Sequence, residues 1–196
     1  MFRDVFRVRP YKRRFALVLA AAATLPALAL AATIGGAYYA PQYDFREFWA
    51  ATDNKPFQVV LGGNPFPGTD PATVASALLP AMQSAKPRPA LTFTYDKPSP
   101  TPSPDYRLVL VFDPALNLNA DPVCADQPLR FRPNKPGVFY VYAIYCRNDR
   151  MLSYTTAWTV ASGPDDPRIE RLFRELFPVI FKEGSSRWAD LDERFT

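Results

Sequence analysis

The sequence predicts an α+β fold: an antiparallel sheet of about four to six strands, two main helices packed on one face, and an N-terminal signal or anchor helix ahead of them. Three observations carry this. A striped helix, a run of strands and a closing helix follow one another in chain order. Two long aromatic-rich segments, 138–146 and 151–160, flank a four-residue polar turn. A basic leader also runs directly into an uncharged apolar stretch.

The leader comes first. Arg3, Arg7, Arg9, Lys12, Arg13 and Arg14 precede Phe15 to Ile34, twenty residues without a charge. Positive charge stays on the cytoplasmic side while the following segment enters the bilayer, so the body is expected outside the cytoplasm. Two readings stay open. Twenty residues at about 1.5 Å each span roughly 30 Å, enough for a retained transmembrane anchor through residues 15–34. Alternatively Pro26 ends a shorter apolar region and Ala29-Leu30-Ala31 supplies the small-x-small cleavage site of a signal peptide. The chain divides accordingly into a leader with signal or anchor (1–40), one exported domain (41–184) and a loose polar tail (185–196).

Within the domain, Phe45, Phe48 and Trp49 repeat at helical spacing and predict a short helix over Asp44–Thr52. Phe57–Leu61 is β-prone and is stopped by the glycine- and proline-rich 62–68. Asp70 caps a helix with Pro71 at its first position, running to about Ala85 with Val74, Leu78 and Met82 on one face and a kink expected at Pro80. Strands follow at Ala90–Tyr95 and Tyr106–Phe112. Between them the alternating prolines of 98–104 admit neither helix nor ladder and predict a stiff extended connector. The stretch 114–136 reads as irregular, with one edge strand at Leu129–Arg132.

The strongest pattern is the hairpin. A two-residue turn at Asn148-Asp149 pairs Tyr145 with Leu152, Ala143 with Tyr154, Val141 with Thr156 and Phe139 with Trp158, giving one aromatic face. Trp49 and Trp158 are therefore expected in the core. Asp165 or Asp166 caps the last helix, Pro167 opens it, and Ile169, Leu172, Phe173, Leu176, Phe177 and Ile180 keep a 3.6-residue spacing. Pro178 should bend or end it.

Charge and composition exclude several chemistries. Of 23 Lys and Arg and 19 Asp and Glu, six basic and one acidic side chains lie in residues 1–14. The basic balance belongs to the leader, and a nucleic-acid partner loses its main support. With no histidine in the chain, the usual activated nucleophiles and zinc sites are absent, and neither a metal nor a cofactor is implied. Cys124 and Cys146 are an even pair in a body expected to be exported, which predicts one disulfide, with two buried thiols as the alternative. Cys146 falls on the face opposite the aromatic one, so the segment carrying Cys124 should cross that face.

Two functions remain. The first is a non-catalytic binding or accessory domain of the bacterial cell envelope, in the periplasm, inner-membrane anchored or secreted, with an envelope protein or cell-wall component as partner. The second is a carboxylate-dependent hydrolase acting on envelope glycans through Asp113, Asp121 and Asp126, acids clustered after a strand end. Arg168, Arg171 and Arg174, with Arg130 and Arg132, are candidates for an anion patch.

Overall fold

The computed structural model describes residues 32–184. The leader and most of the signal or anchor segment, as well as the tail at 185–196, lie outside them. Among the described residues no helix is long and apolar enough to cross a membrane.

In chain order the elements are β1 (Thr33–Ile34), β2 (Tyr38–Tyr39), α1 (Phe45–Thr52), β3 (Pro56–Gly62), α2 (Pro71–Ser84), β4 (Thr92–Thr94), β5 (Tyr106–Phe112), α3 (Ala120–Cys124), β6 (Val138–Arg147), β7 (Arg150–Val160) and α4 (Pro167–Ile180). The sheet begins ahead of the boundary drawn at residue 40, because β1 and β2 both pair with β7. The strand order is β1-β7-β6-β5-β3-β4 in one seven-stranded sheet, with β2 also on β7.

The sheet is mixed rather than antiparallel. β5, β6 and β7 form an antiparallel meander, but β3 runs parallel to both β4 and β5. The physical reason lies in the connections. α2 lies between β3 and β4 in the chain, and a crossover through a helix is how parallel neighbours are joined. β3 then sits between β4 and β5, so the proline segment carries the chain past it and into β5 in the same direction.

The core fills the face covered by α1, α2 and α4. Phe57, Val59, Leu108, Leu110, Phe112, Phe139, Val141, Ala143 and Tyr145 meet Phe48, Leu78, Met82 and the whole apolar stripe of α4 there. Phe48 stacks on Phe181 with centroids 4.2 Å apart, and Phe173 stacks on Phe177 at 5.4 Å. Asp44, Asp70 and Asp166 each accept from a backbone N–H of the helix they open, as the spacing predicts. Pro80 lies inside α2 without ending it, and α4 stops two residues after Pro178. The last carbonyls of α4 have lost their helical partners. They are met from the sheet: Tyr39 donates to Val179 O and Ser153 to Ile180 O at 2.7 Å, and just past the helix Tyr43 donates to Lys182 O at 3.1 Å.

At the far edge β4 is closed by a side chain. The Gln83 carboxamide oxygen accepts from Phe93 N–H at 2.8 Å and its nitrogen donates to Leu91 O at 3.2 Å, occupying groups that face away from β3. An open strand edge is thereby denied to another chain.

The hairpin register departs from the predicted one. The tight turn is present, with Arg147 opposite Arg150 and Cys146 opposite Met151. A bulge then intervenes, so that Tyr145 pairs with Ser153, Ala143 with Thr155, Val141 with Ala157 and Phe139 with Thr159. Leu152 is the extra residue, and it is buried in the core. One inserted residue moves every later β7 side chain to the other face. Tyr154, Thr156 and Trp158 consequently join Tyr140, Tyr142 and Cys146 on the face away from α1, α2 and α4. Trp158 is 42% exposed and Trp49 40%, so neither tryptophan is core.

That second face is covered in part by the segment 114–136. It holds the short helix α3 where the proline-rich pattern predicts irregular chain, and the expected strand at Leu129–Arg132 is reduced to one bridge between Pro114 and Phe131. Cys124 at the end of α3 closes a disulfide with Cys146, Cα atoms 5.6 Å apart. Val109, Val111, Val123, Tyr142 and Ile144 pack around it as a smaller second core.

Candidate functional site

What α3 and its flanking loops leave uncovered is a trough along β6 and β7. Its floor follows from strand alternation after the bulge. Tyr140 stands opposite Trp158, Tyr142 opposite Thr156 and Ile144 opposite Tyr154. Tyr38 of β2 adds a further ring, stacked on Tyr154 at 5.3 Å, and Tyr142 meets Tyr154 edge-on at 5.5 Å.

Three adjoining cavities make up the trough. The central one, about 580 Å³, runs between Tyr38, Tyr140, Tyr142 and Tyr154 on the floor and Pro114 to Pro122 on the wall. A second, about 390 Å³, shares Tyr38, Asp121 and Met151 with it and extends to Arg147, Asp149 and Arg150 at the hairpin turn. A third, about 410 Å³, shares Arg132 and Tyr140 and extends over Trp158 to Lys135 and Asp113. From Arg150 to Trp158 the floor is about 26 Å long at roughly 3.3 Å per residue.

The polar groups have distinct states. The Arg132 guanidinium lies over the Tyr140 ring, 4.3 Å from its centroid, an arrangement that fixes a long side chain. Asp121, in the first turn of α3, accepts from Met151 N–H at 3.4 Å. Burial pushes the Tyr142 hydroxyl far above its ordinary value, reinforced by Tyr154, Asp121 and Tyr140, so it stays neutral.

Asp113 is held differently. It is buried, adopts φ of +44°, and accepts from Asn134 Nδ2 at 2.8 Å. Desolvation raises its pKa, against the opposing pull of the Asn134 hydrogen bond and the Arg132 charge. Asp113 and Asp121 border different cavities of the same trough. Asp126 lines none of the three; its carboxylate accepts from Arg107 at 3.3 Å beside α3.

The arginines of α4 do not gather into one patch with Arg130 and Arg132. Arg168 is paired with Asp166 at 2.6 Å and Arg174 with Glu170, while Arg171 is exposed. Arg168 holds the Asp166 carboxyl well below the usual carboxylate range, opposed by burial and helped by Ser162. Arg132 stands on the opposite side of the sheet, over Tyr140.

The buried Arg107 supports the wall. It donates to Cys124 O at 2.5 Å and to Asn148 O at 2.8 Å, and pairs with Asp105 at 3.6 Å. It thus ties the end of α3 to the hairpin turn next to the disulfide. The tyrosine floor and Lys135 were not singled out from the sequence. Tyr140 and Tyr142 alternate visibly, but Tyr154 and Trp158 join them only through the bulge.

The fold and site define a disulfide-bonded mixed α/β domain with an aromatic trough. Comparison with protein-family models, curated proteins and solved structures finds no match to the chain.

Proposed function

We propose that this chain is an exported or membrane-anchored domain of the bacterial cell envelope that acts by binding, without catalysis, and holds an extended partner in its trough. The carrying observation is the set of three contiguous cavities along one aromatic sheet face. Concave surfaces with aromatic walls and a few fixed polar groups are the usual form of a binding site. The leader supports export, and the Cys124–Cys146 bond agrees with an oxidising compartment. In this reading the membrane contact, where the leader is retained, lies within residues 15–31 and not the full 15–34, because Thr33 and Ile34 pair with β7 as β1, and the partner is an envelope protein or cell-wall component.

The test is site-specific photocrosslinking in cells. A photoreactive residue replaces Leu116 at the trough rim, which is 92% exposed, or Arg171 on the helical side as control. Envelope adducts are expected from position 116 and not from 171. Equal or absent adducts at both positions would remove the binding reading.

A carboxylate hydrolase is the second reading, favoured by one observation: Asp113 and Asp121 border adjoining cavities of the same trough, with burial moving the Asp113 pKa in the direction a general acid requires. Asp113→Asn and Asp121→Asn should then abolish glycan turnover in a folded protein. Unchanged turnover would eliminate it.

A further inference from the structure

We infer that the Trp158 end of the trough is a subsite for a carboxylate-bearing sugar unit of a glycan chain; this rests on the binding reading above and names the ligand's chemistry. The cavity there is about 410 Å³, within the range of small-ligand sites, and its floor is two flat rings, Tyr140 and Trp158. A sugar ring offers one face of C–H groups and an equator of hydroxyls. The exposed Trp158 ring suits the first, since Arg132 already lies over the Tyr140 ring, and polar groups on the lip suit the second.

Charge decides what the sugar carries. Arg132 and Lys135 both line this cavity, and neither makes an ion pair among the described residues. Asp113, the acid lining the same cavity, is buried and already accepts from Asn134. Two cations therefore line the opening against one carboxylate, Asp113, which feels the Arg132 charge without an ion-pair contact, and one of the cations is held in place by the Tyr140 ring. A guanidinium fixed in advance presents its N–H groups to a carboxylate in a fork and loses little freedom on binding.

A peptide ligand fits less well. Extended peptides gain most from adding a strand to an open sheet edge. Beside this cavity β1 already occupies the outer edge of β7, pairing Thr33 with Trp158, and at the far edge of the sheet Gln83 occupies β4. A glycan needs no backbone ladder.

The experiment uses the full-length protein purified from the envelope and three probes: a galacturonic acid hexamer, a neutral N-acetylglucosamine hexamer and a hexaglutamate peptide. Calorimetry and indole fluorescence read binding. The acidic hexamer is expected to bind saturably, to weaken with salt, and to bind about tenfold tighter than the neutral one. Arg132→Gln and Trp158→Ala should each lower its affinity about tenfold or more at an unchanged thermal midpoint. Lys135→Gln, on an exposed loop, should lower it by a smaller factor without touching the fold. Equal affinity for the neutral hexamer, tighter binding of the peptide, or indifference to Arg132→Gln and Lys135→Gln would each overturn the assignment. None of these outcomes disturbs the crosslinking result at position 116, whereas failure of that result removes the trough itself.

Discussion

Reducing the Cys124–Cys146 bond separates the wall of the trough from its floor, and the cost can be worked from the loop it closes. The two cysteines lie 22 residues apart. In the chain-entropy treatment a loop of that length restricts the unfolded chain by about 11 cal/mol/K, or about 3 kcal/mol at 25 °C. Folded geometry adds a local term, since the bond joins α3 to the middle of the sheet and little else fastens that helix. α3 has five residues and no side-chain N-cap, and it leans on Val123, Cys124 and the carbonyl held by Arg107. Urea unfolding with and without a thiol reductant is the assay, because reduction keeps both sulfurs in place and opens no cavity. With a slope near 2 kcal/mol per molar for a domain of this size, the midpoint should fall by about 1.5 M. Amides of 114–126 should also exchange faster than those of β5 and β6 in the reduced native protein. Coincident urea midpoints, or uniform exchange across wall and floor, would refute the reasoning.

Four other outcomes follow from particular side chains. Tyr145 is fully buried and its hydroxyl has no hydrogen-bond partner among the described residues, so Tyr145→Phe should leave thermal stability unchanged or raise it by about 1 kcal/mol; a clear loss would mean the hydroxyl is satisfied. Gln83→Ala should cost about 1–2 kcal/mol and, by baring the β4 edge, increase aggregation in light scattering after heating. Arg107→Met should cost about 3 kcal/mol in urea unfolding, from the orphaned Cys124 carbonyl and the half-paired Asp105; Asp126, 88% exposed, contributes little. Asp113 has a folded pKa above its unfolded value, so its contribution is fully present below the ordinary carboxylate pKa and is lost as pH rises through the raised one. Asp113→Asn, whose side-chain oxygen can still accept from Asn134, should therefore be more stable than the parent at neutral pH. The difference should vanish in acid, and a constant difference across pH would contradict the shift.

How much was legible depended on the range of the interaction. Helix α4 is readable because its stripe, its Asp166 cap and Pro167 are all decided within a few residues. The same holds for α2 with Asp70 and Pro71, and for the Asn148-Asp149 turn. The placement of Cys124 across the face bearing Cys146 followed from alternation alone, since the bulge lies beyond Cys146. Other features depend on segments distant in sequence. Whether β3 lies beside β5 in parallel depends on how the sheet packs against α2, and no local pattern records that. The bulge at Leu152 places one more apolar side chain under α4 and shifts Tyr154 and Trp158 to the other face, a choice made by core filling rather than by turn geometry.

The amino-acid order alone thus determined α1, α2 and α4, their caps and the hairpin turn, because neighbouring side chains and backbone groups decide each of them. Strand order, the position of Arg107, and the gathering of Tyr38, Arg132, Tyr140, Tyr154 and Trp158 into one trough belong to the tertiary structure. They join residues from separate elements of the chain, and only the packing of a whole sheet against its two cores brings such residues to one surface.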